Sequence, residues 1–226
     1  MISLNDVSKK YDAEDSYALH HVNVDIRPGE FVFIVGKSGA GKSTVLKLLL
    51  REIMPTDGKV MVSGKDIARL KNKDLPYYRR DVGVVFQDFR LLETKTVYEN
   101  IAFAMEAVKT DEKIIQRITP KILNMVGLRD KSRKYPSALS GGEQQRVAIA
   151  RSIINNPKIL ICDEPTGNLD PVTSAGIMNL LSDINIAGTT VLIATHDITM
   201  VDRMKKRVVV LDNGHVISDR VGGYYR

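Results

Sequence analysis

Eight consecutive residues have the types and spacing of a phosphate-binding loop. Gly36 to Ser43 read Gly-Lys-Ser-Gly-Ala-Gly-Lys-Ser and fit the pattern GxxxxGK[ST]. Glycines at these places let backbone N–H groups and the N-terminus of the next helix face the phosphates. Lys42 can then reach the β- and γ-phosphates, and the Ser43 hydroxyl can bind Mg²⁺. The loop predicts an ATP site formed by Gly36, Ser38, Gly39, Ala40, Gly41, Lys42, Ser43 and Thr44.

Two acids end an apolar run in the second half of the chain. Residues 159–162 are Ile-Leu-Ile-Cys, and Asp163 and Glu164 follow them. Acids at the carboxyl end of a parallel strand face the ligand crevice of the sheet. We expect Asp163 to hold Mg²⁺ and Glu164 to act as the general base for the attacking water.

A second turn has the composition of an anion-binding helix start. Ser140, Gly141 and Gly142 precede a helical pattern, and the N-terminus of a helix attracts anions. One nucleotide does not need two such cradles within one domain. The turn therefore calls for an explanation beyond a single site.

The elements that must position these residues follow from hydrophobic periodicity. Predicted strands cover residues 22–26, 31–35, 59–62, 82–86, 158–162, 190–194 and 207–211. Predicted helices cover residues 43–52, 97–108, 111–126, 142–155, 171–186 and 198–204. Strands that alternate with helices favour an α/β fold with a mainly parallel sheet, preceded by an antiparallel β portion. Asp212-Asn213-Gly214 predicts a hairpin with a type I′ turn.

Composition sets the limits of these predictions. The 226 residues suit one domain, here residues 1–226, with a helical part that begins near residue 88 and extends to about 155. The sequence has no signal-peptide pattern and no apolar run of about 20 residues, so we expect a cytoplasmic location. The net charge of +6 suits anionic partners without selecting one, and the single cysteine, Cys162, fits a reducing compartment.

The segment around the second turn carries a family resemblance. Residues 139–146 read Leu-Ser-Gly-Gly-Glu-Gln-Gln-Arg and resemble the signature of the ABC ATPases. The resemblance implies a RecA-like parallel-sheet core with antiparallel β and helical subdomains, and Mg²⁺-dependent ATP hydrolysis. It also implies a homodimer in which Ser140, Gly141 and Gly142 cap the γ-phosphate of ATP held by the opposite subunit.

Further residues match the family pattern in order along the chain. Tyr11 resembles the aromatic residue that stacks on adenine, and Gln87 the glutamine that senses Mg²⁺ and the reacting water. His196 resembles the histidine that contacts the γ-phosphate, and residues 168–170 resemble the loop that crosses the dimer interface. The resemblance thus implies catalytic roles for Lys42, Gln87, Glu164 and His196, and Mg²⁺ ligands at Ser43, Gln87 and Asp163.

Within the family, residues 84–106 look like those of bacterial cell-division ATPases. This likeness implies an integral membrane partner, a peripheral place on the cytoplasmic face of the membrane, and control of peptidoglycan hydrolases by ATP turnover. Apolar and aromatic side chains after Gln87 exceed what a solvated loop requires and predict a groove for a helix of that partner. They are Phe89, Leu91, Leu92, Tyr98, Ile101 and Phe103.

Two other functions compete with this one. The ATPase of a lipoprotein-releasing or macrolide-type exporter has the same catalytic motifs and remains the alternative. A DNA-maintenance ATPase has a coiled coil or zinc insertion between the glutamine and the signature. The short segment between Gln87 and Ser140 has neither heptads nor cysteines, so we expect no nucleic-acid partner.

Overall fold

A computed structural model describes residues 1–11 and 16–222, and its strands form two sheets. The strands are β1 (Ile2–Lys10), β2 (Tyr17–Ile26), β3 (Phe31–Val35), β4 (Asp57–Val62), β5 (Lys65–Asp66), β6 (Val82–Val85), β7 (Ile159–Asp163), β8 (Thr190–Thr195), β9 (Arg207–Asp212) and β10 (His215–Val221). The α-helices are α1 (Lys42–Leu49), α2 (Leu75–Arg80), α3 (Val97–Glu106), α4 (Glu112–Met125), α5 (Gly141–Ile153), α6 (Pro171–Ile186) and α7 (Ile198–Met204).

The central sheet has the order β10-β9-β3-β8-β7-β6 and is parallel except for its edge strand β10. Its strands β3 and β8 are buried throughout because both faces of the sheet are covered. Phe31, Phe33 and Val35 of β3 pack into the core beneath α3, α5 and α6. Val32 and Ile34 pack into the opposite core with α1 and the smaller sheet. The predicted α/β fold is confirmed.

The smaller sheet is antiparallel, in the order β2-β1-β4-β5. The sequence patterns missed β1, β5 and the first half of β2. In β1 the register shifts between Leu4 and Val7, and Asp6 has a φ of 54°. Such a bulge interrupts the two-residue alternation on which strand prediction depends.

Side-chain caps fix where the main helices begin. The Thr96 hydroxyl and the Glu99 carboxylate form a capping box at α3, and Ser140 with Glu143 forms another at α5. Asp170 accepts hydrogen bonds from two N–H groups of the first turn of α6. These caps satisfy N–H groups of the first turns and thereby fix the residue at which each helix begins.

The turn between β9 and β10 agrees with the prediction from the sequence. Asn213 and Gly214 have φ values of 45° and 78°, as a type I′ turn between β9 and β10 requires. Cys162 in β7 is fully buried, and this burial raises the pKa of its thiol. No helix within residues 1–11 and 16–222 is long and apolar enough to cross a membrane.

Candidate nucleotide site

The phosphate loop joins the end of β3 to α1, and two of its glycines cannot be replaced without strain. A Cβ atom on Gly36 would lie 2.3 Å from the carbonyl oxygen of Leu211. Gly41 has a φ of 106°, and a Cβ there would lie 2.6 Å from the carbonyl oxygen of Ala18. Only glycine combines this close approach with a left-handed backbone. The loop therefore wraps tightly before α1 begins at Lys42.

Lys42 is buried within its own loop. Its ammonium donates hydrogen bonds to the carbonyl oxygens of Gly36 (2.8 Å) and Lys37 (3.1 Å). These bonds hold the charge at the centre of the turn. A phosphate that lies along the loop would meet this ammonium together with the backbone N–H groups of the helix start.

The loop forms one wall of a cavity of about 910 Å³. The structure brings most of the predicted site residues to its surface: Tyr11, Gly36, Ser38, Gly39, Gly41, Lys42, Ser43, Thr44, Gln87, Asp163, Glu164 and His196. Ala40 is different, since it is buried in the core against the smaller sheet. The Ala40 side chain therefore does not reach the cavity.

Sequence analysis missed part of the cavity lining. Tyr17 and Ala18, at the start of β2, line the same cavity as Tyr11, and so does Asp212 at the end of β9. Tyr17 is 41% exposed. The presence of a second tyrosine six residues after Tyr11 could have indicated that two aromatic side chains line the site. The Tyr11 hydroxyl lies 3.3 Å from the Thr44 hydroxyl and so reaches the helix side of the site.

Glu164 occupies a strained and well-bonded position at the end of β7. Its φ of 47° is in the left-handed region, and its backbone N–H donates to Ala194 (2.9 Å) on β8. One carboxylate oxygen accepts a hydrogen bond from the Thr195 hydroxyl (3.1 Å). The other lies 2.7 Å from Nδ1 of His196. Strain of this kind persists where surrounding contacts fix the residue, and it gathers at functional sites.

Asp163, the last residue of β7, faces the phosphate loop. Burial raises the pKa of Asp163 above its ordinary value, and the neighbouring charge of Glu164 raises it further. Lys42 acts in the opposite direction and lowers that pKa. The carboxylate thus lies where a cation would be favoured.

Oxygen atoms suited to a hard cation gather beside the loop. The Ser43 hydroxyl, the Gln87 side chain and the Asp163 carboxylate all line the cavity. Mg²⁺ prefers such oxygen ligands together with phosphate oxygens and water. The glycine-lined loop and this donor set fit a magnesium nucleotide.

Comparisons with known proteins identify the family of the chain. The sequence model of the ABC transporter family matches residues 19–167. The chain belongs to the ABC transporter family. ABC proteins similar to it include three called cell division ATP-binding protein FtsE. That of Streptococcus pneumoniae (strain D39) is 52% identical and covers 100% of this chain and 97% of its own length. That of Bacillus subtilis is 49% identical, and the match covers 100% of this chain and 98% of the relative. That of Escherichia coli K12 is 46% identical, and the match covers 96% of this chain and 97% of the relative.

Solved ABC cassettes have the same fold. The cassette MJ0796 in a dimeric post-hydrolysis state with ADP and Pi is 37% identical, with a TM-score of 0.87 over 98% of both chains. A second dimeric structure of MJ0796 is 39% identical with the same TM-score and coverage. The predicted family and ATPase class are confirmed.

The ABC signature turn lies away from the cavity of its own subunit. Ser140 caps α5, and the Glu143 carboxylate accepts a hydrogen bond from the Ser140 N–H (2.9 Å). A hydrogen bond from Lys131, followed by that of Ser140, lowers the pKa of Glu143. A Cβ on Gly142 would lie 2.3 Å from Cγ2 of Thr173, so the turn packs closely on α6. Ser140 and Gly141 are exposed.

A buried amide links α5 to the loop that follows β7. Gln145, in the second turn of α5, is fully buried and donates to the carbonyl oxygen of Pro165 (2.7 Å). Pro165 directly follows Glu164. Sequence reasoning did not identify this link because the two residues lie 20 positions apart.

Proposed function

We propose that the chain is the ATP-binding and hydrolysing subunit of a membrane complex that resembles FtsE with its partner FtsX. ATP turnover in such a complex is coupled to cell division and to the control of peptidoglycan hydrolases. The arrangement of Glu164 beside the phosphate loop carries the enzymatic part of the proposal. The FtsE relatives, at 46–52% identity over nearly the whole chain, carry the cellular part.

The nucleotide is held by the phosphate loop and the aromatic wall. Tyr11 stacks on the base, and Thr44 contacts the α-phosphate. Lys42 exchanges its bonds to the loop carbonyls for bonds to the β- and γ-phosphates. Ser43, Gln87 and Asp163 would hold Mg²⁺, which when bound would neutralise the phosphate charge.

Glu164 is the general base of the reaction. Its carboxylate accepts a proton from the attacking water, while Thr195 and His196 keep the carboxylate in one orientation. His196 is largely exposed and lines the cavity. It contacts the γ-phosphate during transfer. Gln87 orients the water from the other side.

Two copies of the chain complete each site. The Ser140, Gly141 and Gly142 turn of one copy caps the γ-phosphate in the other, because a helix N-terminus favours negative charge. Ser140 and Gly141 are exposed and do not line the cavity of their own copy, which supports the arrangement, whereas Gly142 is buried against α6 and can contribute only its backbone. The dimeric cassettes with the same fold support it as well.

The membrane partner binds the surface next to the loop between β6 and α3 (residues 86–96), here called the Gln87 loop. Phe103 is 41% exposed, and Leu92 and Tyr98 are half-buried, so these three are accessible to a partner helix. Ile101 is fully buried in the core and is removed from the predicted groove. The chain would work as one domain, with its helical part (about 88–155) beneath the membrane on the cytoplasmic face.

Replacement of the native gene by one that encodes Glu164→Gln tests the cellular proposal. The variant should still co-purify with the membrane partner, while the cells fail to divide and form filaments. Normal division with mislocalised lipoproteins would instead support the exporter alternative and contradict the proposal.

A further inference from the structure

The loop between β6 and α3 contains two successive residues in an unfavourable backbone conformation. Phe89 has a φ of 57° and Arg90 a φ of 48°, although neither is glycine. For an L-residue other than glycine, the left-handed conformation is roughly tenfold less populated than the right-handed one. Two such residues in a row need contacts that hold them.

Arg151 supplies these contacts from the last turn of α5. Nη2 donates to the carbonyl oxygen of Phe89 (3.0 Å), and Nη1 donates to that of Arg90 (2.7 Å). The planar guanidinium therefore holds both strained residues at once, as its rigid fork of donors allows. Burial lowers the pKa of Arg151, but the guanidinium keeps its charge because arginine is not deprotonated in proteins.

The rest of the loop is fixed at its ends. The Asn100 side chain is fully buried and bonds both the N–H (2.8 Å) and the carbonyl (3.0 Å) of Leu92. At the other end, the Phe89 N–H donates to Phe86 (3.3 Å) at the end of β6. Between these points, Arg151 holds the carbonyls of the two strained residues.

The strained segment lies between two parts of the reaction centre. Gln87, two residues before Phe89, lines the nucleotide cavity. The Phe89 ring lies 4.0 Å from the place of a Cβ on Gly141, in the signature turn. The helix that carries this turn also carries Arg151 and, through Gln145, bonds the carbonyl next to Glu164.

We propose that Arg151 is a positioning residue for ATP hydrolysis: by holding Phe89 and Arg90 in the left-handed conformation, it fixes the Gln87 loop to the signature helix. Gln87, the signature turn and Glu164 then keep one relative placement. The inference rests on the proposed role of Gln87. It assigns Arg151 no contact with the nucleotide.

The first test compares Arg151→Ala with Arg117→Ala in the purified full-length chain with Mg-ATP. Arg117 is exposed on α4 and has the same charge. We expect kcat to fall about tenfold in Arg151→Ala with KM changed less than about twofold, because misplacement remote from the reacting atoms mainly affects turnover. The kcat of Arg151→Lys should also be low, since an ammonium lacks the planar set of donors that lets a guanidinium bind two carbonyls at once. Arg117→Ala should match the parent protein.

The second test separates loop strain from general packing. Arg90→Gly and Arg90→Ala both remove the Arg90 side chain, but only glycine makes a positive φ favourable. We expect Arg151→Ala to lower kcat about tenfold in the Arg90→Ala background and only two- to threefold in the Arg90→Gly background. Equal losses in the two backgrounds would overturn the proposal.

The third test does not depend on activity. Hydrogen exchange of the nucleotide-free chain should be faster in peptides that cover residues 86–95 in Arg151→Ala and unchanged in Arg117→Ala. Peptides from residues 31–49 should exchange at the parent rate in both. Unchanged exchange at 86–95, or a kcat within twofold of the parent, refutes the role of Arg151. If Arg151→Ala is insoluble, Arg151→Gln carries the same tests.

A separate variant distinguishes a failure of the role proposed for Gln87 from a failure of the role proposed for Arg151. Gln87→Ala should lower kcat at least as much as Arg151→Ala. If Gln87→Ala keeps parental turnover, the proposed function of Gln87 fails. If Gln87→Ala is slow but Arg151→Ala is normal, only the inference about Arg151 fails.

Discussion

Nδ1 of His196 lies 2.7 Å from a carboxylate oxygen of Glu164, which orients the proposed general base toward the nucleotide cavity. His196 is largely exposed, whereas the Glu164 side chain is only 12% exposed. The pair therefore joins a fixed acid at the strand end to a histidine that a nucleotide or a second subunit can reach.

Glu164→Gln should bind ATP with near-parental affinity and lose turnover by about 10²–10⁴, since positioned bases contribute that much. The amide keeps the size of the side chain but cannot accept the proton. Phosphate release measures turnover, and equilibrium nucleotide binding is the control. Near-parental phosphate release would show that another group is the base.

Thr195→Val should slow turnover severalfold without loss of ATP affinity. The buried Thr195 hydroxyl donates to Glu164 (3.1 Å) and accepts from the Asp197 N–H (3.1 Å), and valine removes both bonds at similar volume. Thr195→Ser keeps the hydroxyl and should behave as the parent protein. Equal activity of the valine and serine variants would rule out this support of the carboxylate.

Asp163→Asn should stabilise the fold at neutral pH while it abolishes Mg²⁺-dependent hydrolysis. Burial and then Glu164 raise the pKa of Asp163, so its charged form destabilises the folded state above that pKa. The gain should appear as a higher Tm of Asp163→Asn at neutral pH. The gain should shrink as the pH falls through the raised pKa, because Asp163 then takes up a proton. A lower Tm for Asp163→Asn at neutral pH would contradict this.

Ser140→Arg should keep nucleotide affinity and lose both dimerisation and turnover. The bulky cation would fill the space where the γ-phosphate of the other copy meets the turn. Light scattering with ATP in the Glu164→Gln background measures the dimer. Ser140→Ala is the matched variant: it removes the hydroxyl, and with it the helix cap at about 1 kcal/mol, but leaves the space for the phosphate open, so dimers should still form. Dimers of Ser140→Arg that equal those of the parent would exclude the shared site.

Leu92→Asp and Phe103→Asp should release the chain from its membrane partner without loss of ATP binding. Ile186→Asp, at an exposed apolar residue near the end of α6, is the control. Recovery of the partner on affinity-tagged chain is the measurement. Phe89 is a poorer probe, because its ring also lies near the signature turn. Full recovery of the partner with both variants would disprove the groove.

The elements predicted best from the sequence are those whose boundary signals lie at, or directly beside, their own ends. The bounds of α6 were predicted to the residue, since Asp170-Pro171 starts the helix and Gly188 follows its end. The helix α2 was not predicted because its six residues are too few to show a helical period. It is also held by a contact that is distant in sequence, that of Tyr78 with Leu49. Burial raises the pKa of the Tyr78 hydroxyl, which donates to the carbonyl of Leu49.

The candidate site divides in the same way. The phosphate loop is continuous in sequence, so its residues and spacing were visible. The support of Glu164 by Thr195 and the hold of Arg151 on Arg90 join residues 31 and 61 positions apart. Such contacts depend on the strand order of the sheet and on the placement of α5, neither of which a local pattern contains.

The buried thiol of Cys162 makes the chain convenient for spectroscopy. It is the only cysteine in the sequence, it is fully enclosed, and its burial disfavours the reactive thiolate. Thiol-directed dyes or spin labels should therefore react only with a cysteine that is introduced at an exposed place, such as residue 117. Because each copy would then carry a single label, the distance between two labels would report ATP-driven assembly without any change to the native core.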